Sequence, residues 1–350
     1  MNSTSPSLQS EAQRRVENLA ALVAMGFDCV EGPVTNESRR VDQGRWKLTQ
    51  SVPSMGTIVS VSVVHRSCAL AEEAIGRSFQ EMERLVAVLN RFDDSSALGV
   101  LNTEGKLDMA PAELIGLLQT AAEMHRLSGG AFDITVQPVV DLLRESDGAP
   151  SPAALVEAIT RVDSRRVRVR RRQVRFELDG MGITLDGIAK GFIVDRMAAA
   201  LATEGVANYL INAGGDIRTA GAKEGGGAWT VAVRDPERPQ PSTERVCLHD
   251  GAIATSGSYE IYFDRERTWH HLVRSDSGRC RLDSSSVTVC APSTVQADAL
   301  ATAVFVMGPA AGMRLIEALA GCECLIVSRE HRLMRSTGWG GPAFAETRRR

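Results

Sequence analysis

Asp298 and Thr302 lie four residues apart in Ala297-Asp-Ala-Leu-Ala-Thr-Ala-Val-Phe-Val-Met-Gly308, a stretch that is otherwise almost wholly apolar. On a helix that spacing stacks a carboxylate and a hydroxyl on one face. A buried carboxylate must be paired, hydrogen-bonded or bound to a cation. Two oxygens on one face suit a hard divalent ion, and magnesium takes one or two carboxylates while leaving room for water and phosphate. The competing reading makes Asp298 the cap of the helix and bonds Thr302 back to the preceding turn. The pair alone favours the cap, and only the other segments reverse that judgement.

Two glycine loops carry further charge. Gly187-Ile-Ala-Lys-Gly191 sets Lys190 at the start of a helix between glycines. Backbone N–H groups and the positive helix end favour phosphate there, and the lysine adds a point charge. The Walker spacing, Gly-x-x-x-x-Gly-Lys-Ser/Thr, is missing. Ala213-Gly-Gly-Asp216 lets the chain turn tightly or approach a ligand, with Asp216 just beyond the glycines. Taken singly, each loop is more often an ordinary turn than a site.

Hydrophobic period places the elements that must carry these groups. Strands are expected at 46–50 and through Met55-Gly-Thr-Ile-Val-Ser-Val-Ser-Val-Val64, then a helix over about 69–90 with Ile75, Phe79, Met82, Leu85 and Leu89 on one stripe. The polar loop Arg91-Phe-Asp-Asp-Ser-Ser96 follows. Pro111 opens a second helix and Ser128-Gly-Gly130 closes it. Ala131-Phe-Asp-Ile-Thr-Val136 reads as a loop running into extended chain, and Ser151-Pro152 as the cap and first turn of a third helix. Between Arg165 and Arg175, Arg alternates with Val about an Arg-Arg-Gln turn, an exposed hairpin with Arg outward and Val inward. Further helices are expected at 192–203, 297–308 and 309–320, and strands at 208–212, 229–235, 245–248, 286–291 and 323–328. Residues 1–45 read as an extension of one helix and a polar linker, 46–333 as the folded domain, and 334–350 as a loose tail. Hairpins mixed with intervening helices make the fold class α+β.

Composition narrows the function classes. The chain has 350 residues, 43% apolar and 24% charged, with a net charge of −3. That balance gives a sizeable core and argues against a protein that lives by binding a polyanion, so no nucleic-acid partner is expected even for the arginine hairpin. Seven cysteines at irregular spacings, with no Cys-x-x-Cys, suggest a reducing compartment. No stretch approaches the roughly 20 apolar residues needed for a membrane span. Arg14-Arg15 before Leu19-Ala-Ala-Leu-Val-Ala-Met-Gly-Phe27 faintly resembles an export signal. Glu17 interrupts the charge pattern and no small-x-small cleavage site follows, so an amphipathic helix is favoured. A cytoplasmic location is expected, with an exported, periplasmic one as the alternative.

In combination the segments are distinctive. Met55-Gly-Thr57, Gly129-Gly-Ala-Phe-Asp-Ile-Thr135, Gly187-Ile-Ala-Lys-Gly-Phe-Ile-Val-Asp195, Asn212-Ala-Gly-Gly-Asp216, Ala254-Thr-Ser-Gly257, His271 and Ala297-Asp-Ala-Leu-Ala-Thr302 occur in this order, over about residues 50–330. The series resembles the ApbE family of FAD:protein FMN transferases. The resemblance implies an ApbE-like, T-fold-like α+β architecture of mixed, largely antiparallel sheets packed with helices. It implies an enzyme that binds FAD and magnesium (calcium being the alternative) and splits the flavin pyrophosphate. FMN would then be joined by a phosphoester to a Thr or Ser of an acceptor, an electron-transfer protein, and AMP would leave. Carried over, Met55 and the loop Ala131, Phe132 and Asp133 contact FAD, and Phe92 lies near the adenine. Lys190 faces the pyrophosphate. Asp298, Thr302 and the carbonyl of Gly187 hold the metal, and Leu272 lies against the flavin. The resemblance does not settle what takes the proton of the attacking hydroxyl; His271 and Asp216 are the available candidates, with a purely structural histidine as the other reading of His271.

Two departures stand against this pattern. Members commonly read Asp-x-Gly-Gly-Ile-Ala-Lys-Gly, whereas this chain has Thr184-Leu-Asp186-Gly187, so the carboxylate that could reach flavin or metal moves to Asp186. After His271 the usual Asp-Pro is replaced by Arg274-Ser275. The alternatives to FMN transfer are a magnesium-dependent FAD pyrophosphatase giving FMN and AMP, a non-catalytic flavin carrier, and a structural domain whose glycine loops are only turns.

Overall fold

The protein is described here by a computed structural model, covering residues 35–42, 44–233 and 244–340. The helix expected within 19–27 lies outside the described residues. The first elements are an antiparallel meander, β1 (Thr35–Asp42), β2 (Arg45–Ser54) and β3 (Thr57–His65). Val59, Val61 and Val63 alternate inward on β3 and are fully buried. Ser54 pairs with Thr57, so Met55 and Gly56 form a two-residue turn, both with positive φ (52° and 71°). Such turns match the right-handed twist of the strands they join.

Helices α1 (Cys68–Leu89), α2 (Ala97–Glu104) and α3 (Ala112–Leu127) follow, with β4 (Lys106–Leu107) between the last two. The expected stripe on α1, Ile75, Phe79, Met82, Leu85 and Leu89, is buried. Each such side chain contributes about 2 kcal/mol on burial. After α3 the structure differs from the extended chain expected: Ile134–Val136 is a 3₁₀ turn that runs into α4 (Gln137–Glu145). Asp133 caps the turn, and Pro138 sits in the first turn of α4, where its missing N–H costs nothing. α5 (Pro152–Thr160) starts from Ser151, whose hydroxyl accepts the Ala154 N–H.

The arginine segment forms the hairpin β5 (Val167–Arg170) and β6 (Gln173–Phe176), with β4 on its other edge. Val174 and Phe176 point inward while the arginines of both strands are exposed. α6 (Ala189–Thr203) then leads to β7 (Tyr209–Ala213), β8 (Asp216–Ala220), a separate two-stranded ribbon of β9 (Trp229–Val233) and β10 (Glu244–Leu248), and β11 (Gly251–Gly257). β12 (Ser284–Ala291), α7 (Thr294–Met307), α8 (Pro309–Glu317), β13 (Glu323–Ser328) and β14 (Leu333–Arg335) complete the described chain. The structured part therefore extends past both expected borders, into β1 and β14. Beyond β14, Ser336 is buried against Cys324.

Nine strands form one antiparallel sheet in the order β1-β2-β3-β7-β8-β11-β12-β13-β14. α7 packs on β11, β12 and α6, and α6 packs on α1, so the main core lies between the sheet and these helices. Every residue of β12 is buried and so is most of α7. This is the α+β, largely antiparallel architecture expected from the sequence.

Candidate active site

The N-terminus of α7 is capped by a different aspartate from the one the sequence offers. Asp195 of α6 accepts the N–H groups of Thr294 and Val295, both at 2.9 Å. Asp298 lies more than a turn inside the helix, only 4% exposed, which removes the cap reading. One of its oxygens, Oδ2, accepts the Gly191 N–H at 3.0 Å. A side chain at Gly191 would bring its Cβ to 2.8 Å from that of Asp298, so only glycine lets the two helices meet here.

Thr302 follows one turn along the same face. A Cβ on Gly187 would lie 2.7 Å from the Thr302 hydroxyl, which also shares a 3.1 Å hydrogen bond with Ser256 at the end of β11. Gly187 therefore packs closely on Thr302, with Asp298 one turn back on the same face of α7 and bonded to Gly191. Lys190, in the first turn of α6, reaches across to Asp216 at 3.4 Å. Asp216 opens β8 after the Gly214-Gly215 turn. That turn abuts Met55-Gly56-Thr57: a Cβ on Gly214 would lie 2.6 Å from the Thr57 hydroxyl.

Three carboxylates crowd this one lysine. Burial pushes Asp216 above the ordinary carboxylate range, with Glu260 adding to it and Lys190 opposing. Burial and then Asp216 push Asp298 well above that range. Glu260 is raised by burial and by Asp186. Asp216 chiefly holds the Lys190 ammonium far above its usual value, against burial. Among the described residues no group of three or more His, Cys, Asp or Glu forms an all-protein metal cage.

His270 and His271 divide their labour. His270 is fully buried; its Nε2 donates to the Arg281 carbonyl at 2.9 Å and its Nδ1 accepts the Leu272 N–H at 3.2 Å. His271 instead presents Nε2 to Glu260 Oε2 at 3.9 Å; its Nδ1 is buried and has no well-formed hydrogen bond among the described residues, with the Ile261 backbone facing the ring. Burial pushes His271 down to about 4, with Asp186 opposing, so the imidazole is neutral at neutral pH.

The flavin-loop residues are less alike in the structure than in the sequence. Phe92 is exposed, with the Arg91 guanidinium 4.1 Å above its ring. A cavity of about 470 Å³ beside this pair is also lined by Asn102, Gln137, Met181 and Gly182. Ala131 is half-buried, whereas Phe132 and Leu272 are buried. Asp133 is spent internally, accepting from the Thr135 N–H (2.8 Å), the Thr135 and Ser164 hydroxyls (2.5 and 2.6 Å) and pairing with His125 (3.2 Å).

Both departures acquire partners. The Asp186 side chain is half-exposed; partial desolvation acts to raise its carboxyl, but the ion pair with Arg91 at 2.9 Å prevails and holds it below the ordinary range. Thr184 Oγ1 accepts the Asp186 N–H at 3.2 Å. The Ser275 hydroxyl donates to the Gly130 carbonyl at 2.7 Å, tying the loop after His271 to the loop before Ala131. Sequence reasoning missed Arg91, Asp195 and Glu260. Glu260 stands three residues beyond the Ala254-Thr-Ser-Gly257 motif, which was the available signal for it.

An antiparallel α+β fold with a lysine and several carboxylates gathered where two buried helices meet the strand ends defines the class of protein. Residues 55–326 match the model of the ApbE family. The chain belongs to that family. The FAD:protein FMN transferase of Treponema pallidum is 32% identical over 310 residues, covering 81% of this chain and 85% of the relative. That of Vibrio cholerae is 29% identical over 284 residues, covering 77% and 84%. The crystal structure of the ApbE protein of Thermotoga maritima superposes with a TM-score of 0.75 at 26% identity, over 87% of this chain and 97% of that one.

Proposed function

We propose that this chain transfers FMN from FAD to a Thr or Ser hydroxyl of an acceptor electron-transfer protein, forming a phosphoester and releasing AMP. The observation that carries this reading is the convergence of Gly187, Asp298 and Thr302 with the Lys190–Asp216 pair in one cluster. The names of the relatives support it.

The residues fit a hard divalent ion, magnesium with calcium as the alternative. Asp298 would supply a carboxylate, Thr302 a hydroxyl and Gly187 its carbonyl, Gly187 approaching Thr302 so closely that a Cβ would lie 2.7 Å from its hydroxyl. Asp216, Asp298 and Glu260 face a single ammonium, so the cluster favours an added positive charge. When bound, such an ion polarises the pyrophosphate and offsets its negative charge.

Phosphoryl transfer asks the protein for positioning and charge more than for covalent help. Lys190, held charged by Asp216, is placed to stabilise charge that builds on the AMP side. Met55 lies in the β2–β3 turn that abuts the Gly214-Gly215 turn before Asp216. With Phe92, Ala131, Phe132, Asp133, Asp186 and Leu272 it forms the proposed FAD surface, Asp133 acting by shaping the loop. Asp216 is committed to Lys190, which leaves His271 as the better-placed acceptor for the hydroxyl proton.

Incubation with FAD, magnesium and an acceptor, followed by intact-mass measurement, tests the reading. One FMN gained by the acceptor supports transfer. Free FMN with an unmodified acceptor would instead establish the pyrophosphatase, and unchanged FAD the non-catalytic carrier.

A further inference from the structure

We infer that Glu260 is the positioning residue for His271: its carboxylate faces Nε2 and steadies the imidazolium that forms as His271 takes the proton of the attacking hydroxyl. This rests on the transfer reading above.

The backbone sets the contact. Glu260 ends a 3₁₀ turn, Ser258–Glu260, directly after β11. The chain then doubles back: the Phe263 N–H donates to the Trp269 carbonyl at 2.8 Å, and Tyr262 bridges antiparallel to His270. Asp264 pins the bend by accepting the Thr268 and Trp269 N–H groups, both at 2.9 Å. In that register His271 lies across from Ile261, one residue from Glu260. Among the described residues the Glu260 carboxyl comes closest to a charge-bearing partner at His271, whose neutral Nε2 lies 3.9 Å from Oε2 and would face it once protonated. The Nδ1 edge of the ring is sealed in protein, so Nε2 is the nitrogen left to meet a substrate.

The chemistry requires such a partner. A desolvated imidazole held at about 4 accepts a proton poorly at neutral pH unless a negative charge compensates the cation as it forms. In the step, the acceptor hydroxyl forms its O–P bond while its proton passes to Nε2. The bridging P–O bond breaks, and its electron pair leaves with AMP. Lys190 and Asp186 act on Glu260, and Asp186, Lys190, Arg91 and the neighbouring His270 lie around the two histidines. Asp216 and Asp298 in turn feel Glu260.

The test compares Glu260→Gln, Glu260→Asp, His271→Ala and the Glu260→Gln/His271→Ala double variant in the full chain with FAD, magnesium and acceptor. Glu260→Gln should lower kcat about 100-fold with KM for FAD unchanged. Glu260→Asp should recover part of the rate, and the double variant should be no slower than His271→Ala. Multiplying losses, a wild-type kcat in Glu260→Gln, or a loss confined to KM would overturn the inference. If wild type releases free FMN instead of labelling the acceptor, the transfer reading fails, yet the same comparison on FMN release still decides the role of Glu260. Independently of turnover, the ¹⁵N shifts of the His271 ring should move in Glu260→Gln; unchanged shifts would also overturn it.

Discussion

Asp133 and Asp298 are both buried aspartates in motif segments, and the chain treats them in opposite ways. Asp133 receives two hydroxyls, backbone N–H groups and the His125 ring. Burial acts to raise it, but these partners prevail and its carboxyl sits below the ordinary range. Asp298 has the Gly191 N–H, yet burial and the charge of Asp216 drive it far the other way. A carboxylate that the fold satisfies is part of the scaffold. One that the fold leaves short of positive charge is a place for chemistry, because perturbed groups of that kind gather at functional sites.

Asp298→Ala should break this contrast most visibly. Turnover should fall about 1,000-fold, the cost of losing several kcal/mol of charge stabilisation. Stability in urea should change by no more than about 1 kcal/mol, because removing a crowded charge offsets the lost hydrogen bond. A variant with full activity would remove Asp298 from the site. Lys190→Ala comes next: FAD cleavage should slow about 100-fold while FAD affinity, read by flavin fluorescence, changes far less. Equal losses in both would make Lys190 a binding residue only.

Asp133→Asn should show the reverse pattern, losing about 1–3 kcal/mol of stability in urea, with activity following the folded fraction. Its pH dependence has a definite sign. The depressed Asp133 contributes stability that is present above its unfolded value of about 3.9 and is lost as pH falls through its folded value. His125 is raised, first by its hydrogen bond to Asp133, so its share is complete below about 6.5 and is lost as pH rises through its folded value. The wild-type advantage over Asp133→Asn should therefore peak between about pH 4 and 6.5 and narrow on either side.

What the sequence made legible depended on distance along the chain. The stacking of Asp298 and Thr302 is a local consequence of helical pitch, and the Arg/Val hairpin of strand alternation. The segment 134–145 misled because Ile134-Thr-Val136 is β-branched and reads as extended, although an aspartate before it and Pro138 after it are helix-start signals. Asp195 could not be seen as the cap of α7, since its partners lie 99 and 100 residues away. Strand β14 owes its existence to an open edge on β13 rather than to its own composition. Glu260 gained meaning only when a backbone bridge set it beside His271.

The finest test of the contrast concerns the carboxylate displaced by two positions. Asp186 is both paired with Arg91 and next to Gly187, so it belongs partly to the scaffold and partly to the candidate site. Thr184 has one visible task, accepting the Asp186 N–H at 3.2 Å. If Asp186 takes the place of the carboxylate expected at position 184, Asp186→Asn should weaken FAD binding about tenfold, roughly 1.4 kcal/mol. Thr184→Ala, which loses only a neutral hydrogen bond, should cost less, about threefold. The reverse order in a fluorescence titration would show that position 184 still shapes the flavin site without its charge, and that the Arg91 pair makes Asp186 structural, as His125 does Asp133.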